Sequence, residues 1–183
     1  MTSDVVMAGF GGQGILMIGN LLALAAMEEG KQVTYFPAYG VEMRGGTANC
    51  TVVVSDEEIG SPVVGKPGAL VIMNGPSLEK FLPMLVPGGD LVINSSLVDR
   101  TQVNREDVRL LAVAADDIAR VRIGSRQMAS MIALGAYVAL SGVVRLGTLN
   151  DCLPKVISKK YERFIPMNVN ALKEGATIAG IHA

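Results

Sequence analysis

The chain has 183 residues, half of them hydrophobic and 18% charged, with a formal net charge of −1 at pH 7. The absence of any basic run or tryptophan argues against the clustered cationic face of a nucleic-acid binder. One histidine, His182, and two widely separated cysteines, Cys50 and Cys152, exclude a histidine-based triad, a zinc site and a disulfide framework.

The N-terminus has no positive region and no small-residue cleavage site, so no signal peptide is expected. A short buried strand is expected over 4–8. A helix apolar on nearly all sides follows over 14–27, ended by Gly30, a residue suited to a helix C-terminus. This run is shorter than the ~20 residues of a spanning helix, so the expectation is a soluble, cytoplasmic protein with no membrane partner. A β-branched and aromatic strand over 31–36 completes a strand-turn-helix-strand unit, read as the mark of a parallel sheet. Further strands are expected over 47–55, 69–73, 91–94 and 108–114, with a loop over 56–68 and a short helix over 77–85. A long helix over 125–144, a capping box at Thr148 to Asp151 and a closing helix over 167–179 make a helical C-terminal tail. The expected architecture is a single α/β domain over 1–183. It is a three-layer, Rossmann-like sheet, mostly parallel, with helices on both faces. The low charged fraction against the ~25% of ordinary domains fits either a surface covered by a partner or strands buried on both faces.

Two stretches carry candidate chemistry. Gly9, Gly11, Gly12, Gln13 and Gly14 lie in G-x-G-x-x-G, after a strand and before a helix. Glycines there permit a tight turn and leave backbone N–H groups free at the positive end of a helix, where they attract an anion. A dinucleotide site would also carry an acidic residue at the end of the second strand; Pro37 and Ala38 stand there, and the nearest acid is Glu42. The loop reads as a dinucleotide cradle, as a packing turn, or as a site for another anion or a partner chain. Tyr39, Glu42, Arg44, Gly45 and Gly46 form the second stretch, expected at the same sheet edge. Arg44 offers a fork for carboxylate or phosphate, although Glu42 and Arg44 also read as a solvated pair. Cys50, in a valine-rich strand, reads as an inert buried thiol rather than a nucleophile. Met128 and Met131 read as core filler.

Gly-x-Gly-Gly-Gln-Gly at 9–14 followed by Tyr-Gly-x-Glu-x-Arg-Gly-Gly at 39–46 resembles the gamma subunit of the 2-oxoacid:ferredoxin oxidoreductases, whose members act on pyruvate, 2-oxoglutarate, 2-oxoisovalerate or indolepyruvate. Val54-Ser55-Asp56 with Ile59 and Pro62, Leu134-Gly135-Ala136, and the segment from Asn168 to Gly175 are similar to that family too. Ser130 stands where the family pattern has asparagine.

The resemblance implies an enzyme that oxidatively decarboxylates a 2-oxoacid with coenzyme A to acyl-CoA, carbon dioxide and reduced ferredoxin. It implies thiamine diphosphate and iron–sulfur clusters on alpha, beta and ferredoxin-like delta chains, with ferredoxin as the acceptor. This chain has neither the thiamine diphosphate signature nor four clustered cysteines. It is therefore expected to contribute no catalytic residue and no metal, to be inactive alone, and to serve assembly and coenzyme A access. The other reading is a standalone Rossmann-like module for a nucleotide or redox cofactor. A free-standing dehydrogenase lacks an evident acid or base.

Overall fold

A computed structural model describes residues 2–39 and 46–182, the side chains of Tyr39, Ile181 and His182 excepted. Glu42, Arg44 and Gly45, three of the binding candidates, lie outside the described residues.

Six strands form one sheet: β1 (Thr2–Phe10), β2 (Gln32–Tyr39), β3 (Thr47–Ser55), β4 (Ala69–Ile72), β5 (Asp90–Asn94) and β6 (Arg109–Val113). Their order is β2-β3-β1-β4-β5-β6. Pairings β1–β4, β4–β5 and β5–β6 are parallel, whereas β3 runs antiparallel to both β1 and β2. The expected contiguous strand-helix-strand unit is thus split. β2 points the same way as β1, but β3 lies between them. A parallel neighbour needs a crossover of a dozen or more residues. The short link after β2 allows only a hairpin, and the valine-rich β3 takes the interior place.

Alternation along the strands divides the core. Val5 and Met7 of β1 face one side together with Val52, Val54, Val71 and Val92. Val6 and Ala8 face the other with Leu70, Ile72, Leu91 and Ile93. Burial on both faces is why these strands read as unbroken apolar runs.

The first face carries α1 (Ile15–Glu28), α4 (Ala129–Ser141), α5 (Leu146–Val156) and α6 (Ile165–His182), with the short α3 (Ala115–Ile118) beside them. The second carries α2 (Gly75–Phe81). The three-layer expectation holds. α1 is apolar nearly all round because it lies between β3 and α5. Its end is a left-handed Gly30, with Gly30 N–H bonded to Met27 O and Lys31 N–H to Ala26 O.

Three local expectations are corrected. The 125–144 helix is broken. A single 3-10 turn, Arg126–Met128, precedes α4, which stops at the left-handed Gly142, φ 67°. The capping box at Thr148 does not form, because α5 already begins at Leu146. The cap comes from another helix end instead: Glu29 Oε1 accepts the Arg145 N–H at 2.8 Å. The short helix expected over 77–85 starts earlier, where Asn74 Oδ1 accepts the Ser77 N–H.

α4 and α6 cross with almost no gap. A Cβ on Gly135 would sit 2.1 Å from Leu172 O, and one on Gly175 would sit 1.9 Å from Ile132 O. Each glycine seats the other helix's backbone.

Candidate functional site

In a doubly wound sheet, ligands enter outside the carboxyl ends of the strands, where connections diverge. Here that point lies between β1 and β4, with α1 on one face and α2 on the other. The glycine loop leaves β1 at this point. Gly12 and Gly14 take left-handed conformations, φ 92° and 80°, and Gly14 caps α1 with no side-chain partner. The first helical bond is Ile18 N–H to Gly14 O, so the amides just before Ile18 have no helical acceptor. No acidic residue occupies the first turn.

Gln13 is spent inside the loop. Its Oε1 accepts the Phe10 N–H at 2.6 Å, and its Nε2 donates to Met73 O at 3.5 Å. It straps β1 to β4 across the crevice. Gly9 is the reason it fits, since a Cβ there would lie 2.6 Å from Gln13 Oε1.

The two glycine stretches meet. Gly11 N–H donates to Gly46 O at 2.9 Å, while Tyr39 ends β2 opposite Ala48. Gly9, Gly11, Gly12, Gln13, Gly14 and Gly46 therefore gather at one sheet edge, as expected. The split sheet also explains the missing acid. With β3 intervening, the end of β2 stands two strand spacings, about 10 Å, from β1. A carboxylate there would not reach a ribose held at the loop.

On the α1 side of the loop lies a cleft of about 940 Å³, lined by Gly12, Gly14 and the turns that lead into α4 and α6. The sequence reading missed most of its polar groups. Ser130, only 3% exposed, places its Oγ 2.6 Å from where a Gly14 Cβ would be. Asn168, also 3% exposed, donates to Phe164 O at 2.8 Å. Arg126 and Arg163 stand on the rim. Arg126 approaches Asp116 at 3.5 Å, and Arg163 lies over the Phe164 ring. Met128 and Met131 are buried, as expected of core residues, but both also line this cleft. Beyond Ser130, which stands where the family pattern has asparagine, the sequence signal for the site was weak: the glycine turn at Gly124 and Ser125 ahead of an apolar helix.

Cys50 is fully buried, and burial pushes its thiol up to about 12. Its Sγ points at Ile15 O, and a Cβ on Gly19 would lie 2.4 Å from it. It packs α1 on β3 and is no nucleophile. Cys152, on α5, is buried too, and burial raises its thiol. The two cysteines sit on separate elements and do not converge, so they do not fit an iron–sulfur cluster, which takes four thiolates. Among the described residues no group of three or more His, Cys, Asp or Glu could hold a metal ion, and no helix is long and apolar enough to cross a membrane.

Residues 4–178 match the family described as pyruvate ferredoxin/flavodoxin oxidoreductase. The chain belongs to this family. It is 39% identical over 174 residues to ketoisovalerate oxidoreductase subunit VorA of Methanothermobacter thermautotrophicus, covering 94% of this chain and 35% of that relative. The chain thus spans about a third of that protein's length. Among solved structures, the gamma subunit of keto/oxoacid ferredoxin oxidoreductase from Geobacter sulfurreducens superposes with a TM-score of 0.84 at 30% identity, covering 99% of both chains. The 2-oxoglutarate:ferredoxin oxidoreductase of Magnetococcus marinus superposes with a TM-score of 0.89 at 25% identity, over 98% of this chain and 31% of that one. Within the pyruvate ferredoxin/flavodoxin oxidoreductase family, this fold therefore stands both as a separate chain and as a third of a longer one.

Proposed function

We propose that this chain is the gamma-type subunit of a 2-oxoacid:ferredoxin oxidoreductase, and that it contributes no catalytic residue of its own. The assembled enzyme would convert a 2-oxoacid and coenzyme A to acyl-CoA and carbon dioxide, passing the electrons to ferredoxin. We place thiamine diphosphate and the iron–sulfur clusters on alpha, beta and delta partner chains, since this sequence carries neither the thiamine diphosphate signature nor four clustered cysteines. The observation that carries the reading is the sheet edge. The Gly11–Gly46 bond joins the two glycine motifs and leaves the Gly12 and Gly14 amides without a backbone acceptor among the described residues. Such an edge binds an anion and completes no chemistry by itself. Both substrates of the proposed reaction are anions, the 2-oxoacid through its carboxylate and coenzyme A through its phosphates, and a glycine loop at a helix N-terminus suits the phosphates. We assign the chain to subunit assembly and to receiving coenzyme A through Gly12, Gly14 and Arg44, with the Gly11–Gly46 bond holding the two stretches together.

The surface agrees with life in a complex. Phe10 and Phe36 lie on the α2 side of the sheet by register, and α2 packs chiefly on β1 and β4. Phe36 is half exposed and Phe10 is exposed as well, which is the kind of apolar surface a partner covers.

Oxygen-free purification from the native cells tests the proposal. The chain should elute with larger thiamine-dependent and iron–sulfur chains. The fraction should reduce a viologen dye in a coenzyme A-dependent way with one member of a 2-oxoacid panel. Elution alone with a silent fraction overturns the proposal in favour of a standalone nucleotide module. In the active complex, Arg44→Ala should raise the KM for coenzyme A by roughly tenfold or more and leave the KM for the 2-oxoacid unchanged. An unchanged coenzyme A dependence removes Arg44 from the assignment.

A further inference from the structure

Asn94 ends β5 at the carboxyl edge of the sheet and is fully buried. A carboxamide held so deep is costly unless its polar atoms are met. Here they are met from three sides. Oδ1 accepts the Ala115 N–H at 3.1 Å and the Ser96 N–H at 3.3 Å, with the Asp116 N–H at a longer 3.5 Å. Nδ2 donates to Asp116 Oδ2 at 2.5 Å and, at a long 3.5 Å, to Met73 O. The helix α3 needs this partner. Its own N-cap, Ala114, has no side chain that can accept, so β5 caps it from the neighbouring strand. Ser96 repeats the arrangement beside it: its Oγ accepts the Asp117 N–H at 3.1 Å and bonds Asp117 Oδ2 at 3.0 Å.

The chain after α3 builds one wall of the cleft. The wide turn Ala119–Ile123, the left-handed Gly124 and the 3-10 turn Arg126–Met128 follow in order, and Arg126 comes back to Asp116 Oδ1 at 3.5 Å. The Asp116 side chain is only 14% exposed and stands between Asn94 and Arg126. On the other side, Met73 O accepts from Asn94 and also from Gln13 Nε2 of the glycine loop. One buried carboxamide thus touches the anchor of the loop strap and the anchor of the facing wall.

We propose that Asn94 is a positioning residue for the edge that receives coenzyme A: it touches no ligand, and it holds the glycine loop and the wall over 124–128 in register with each other. This role rests on the subunit reading above. The chemistry at position 94 is specific because its neighbours make opposite demands. The Ala115 N–H needs an acceptor, whereas the Asp116 carboxylate and Met73 O need a donor. A carboxamide answers both, and a carboxylate answers only the first.

Asn94→Asp in the assembled enzyme is the test, with turnover followed by viologen reduction. The introduced carboxyl still accepts the Ala115 N–H, but its second oxygen faces Asp116 and Met73 O. Two carboxyls in contact do not both ionise readily, so a proton taken up as pH falls rebuilds a donor toward Asp116. The nearby cations are Arg126, against Asp116, and Arg120, against Asp117. The KM for coenzyme A should rise roughly tenfold in mild alkali and converge on the wild-type value in mild acid, with the KM for the 2-oxoacid unchanged. Asn94→Asp combined with Asp116→Asn reverses the polarity of the pair and should bring the coenzyme A KM back toward the wild type without the pH dependence. If the single variant does not assemble, recovery of assembly by the double variant is the expected result. A coenzyme A KM that Asn94→Asp leaves unmoved, a defect that is the same at every pH, or a double variant as impaired as the single one overturns the role while the subunit reading stands. A wild-type chain that elutes alone with a silent fraction overturns the subunit reading, and the role of Asn94 with it.

Discussion

Glycine does opposite work in two regions of this molecule. At the α4–α6 crossing, Gly135 and Gly175 have ordinary helical backbones and no room: each hypothetical Cβ falls about 2 Å from the facing helix's carbonyl oxygen. At the sheet edge, Gly12 and Gly14 have left-handed backbones, and Gly12 has nothing within 4 Å. The first pair is there for contact, and the second for conformation and for the open space in front of it. A glycine-rich sequence thus contains two kinds of glycine, which differ in what a methyl group would strike. The crossing fixes the scaffold, and the edge leaves backbone amides facing a cleft.

The largest effect is expected at the crossing. Gly175→Ala must push α6 away from α4 and disturb a core in which every residue from Ala129 to Val138 is buried. Overpacking of this kind costs about 3 kcal/mol or more, which in a chain of this length lowers Tm by roughly 10 °C. Gly135→Ala should behave alike. A thermal melt within about 2 °C of the wild type would break the distinction.

The edge answers a finer test. Gly12→Ala and Gly14→Ala both force a left-handed alanine, which costs about 1–2 kcal/mol. Only Gly14→Ala also meets a neighbour, with Ser130 Oγ at 2.6 Å and Ser130 Cβ at an ordinary 3.6 Å. Gly14→Ala should therefore be the less stable of the two, and adding Ser130→Ala should bring it back to the level of Gly12→Ala. Equal melting temperatures for the single variants would remove Ser130 from the loop's surroundings.

The same contrast explains what could be read in advance. The β3 strand, Thr47–Ser55, and the glycine turn into α1 were legible because local chemistry dictates them. So was the meeting of the two glycine stretches at one edge, which follows from strand direction alone. The antiparallel insertion of β3 was not, because its valines fill an interior strand of either polarity. The α5 start was misread for a related reason. Thr148-Leu149-Asn150-Asp151 has the residues of a capping box, but Glu29, far away in sequence, already satisfies the Arg145 N–H. The cleft was least legible, since Ser130 and Asn168 sit on helices whose periodicity marks them only as core.

Glu29 gives the smallest and most specific prediction. Its side chain is mostly buried at the end of α1, and that desolvation alone would raise its carboxyl. The hydrogen bonds from the Arg145 N–H, from Thr148 and from the Arg145 guanidinium outweigh it and hold the group below its ordinary value. A carboxyl depressed in the folded state adds stability that is fully present above its unfolded value of about 4.3. That stability is lost as pH falls through the lower folded value. Glu29→Gln should therefore cost about 1 kcal/mol near neutral pH, a shift in Tm of roughly 2–4 °C. The gap should close in acid, where the wild-type carboxyl is neutral as well. Melting curves of both proteins across pH check the sign. A gap that stays constant into acid would mean that the α1–α5 clasp depends on the shape of residue 29 and not on its charge. A gap that closes would place the start of α5 under the control of a carboxylate at the C-terminal end of α1.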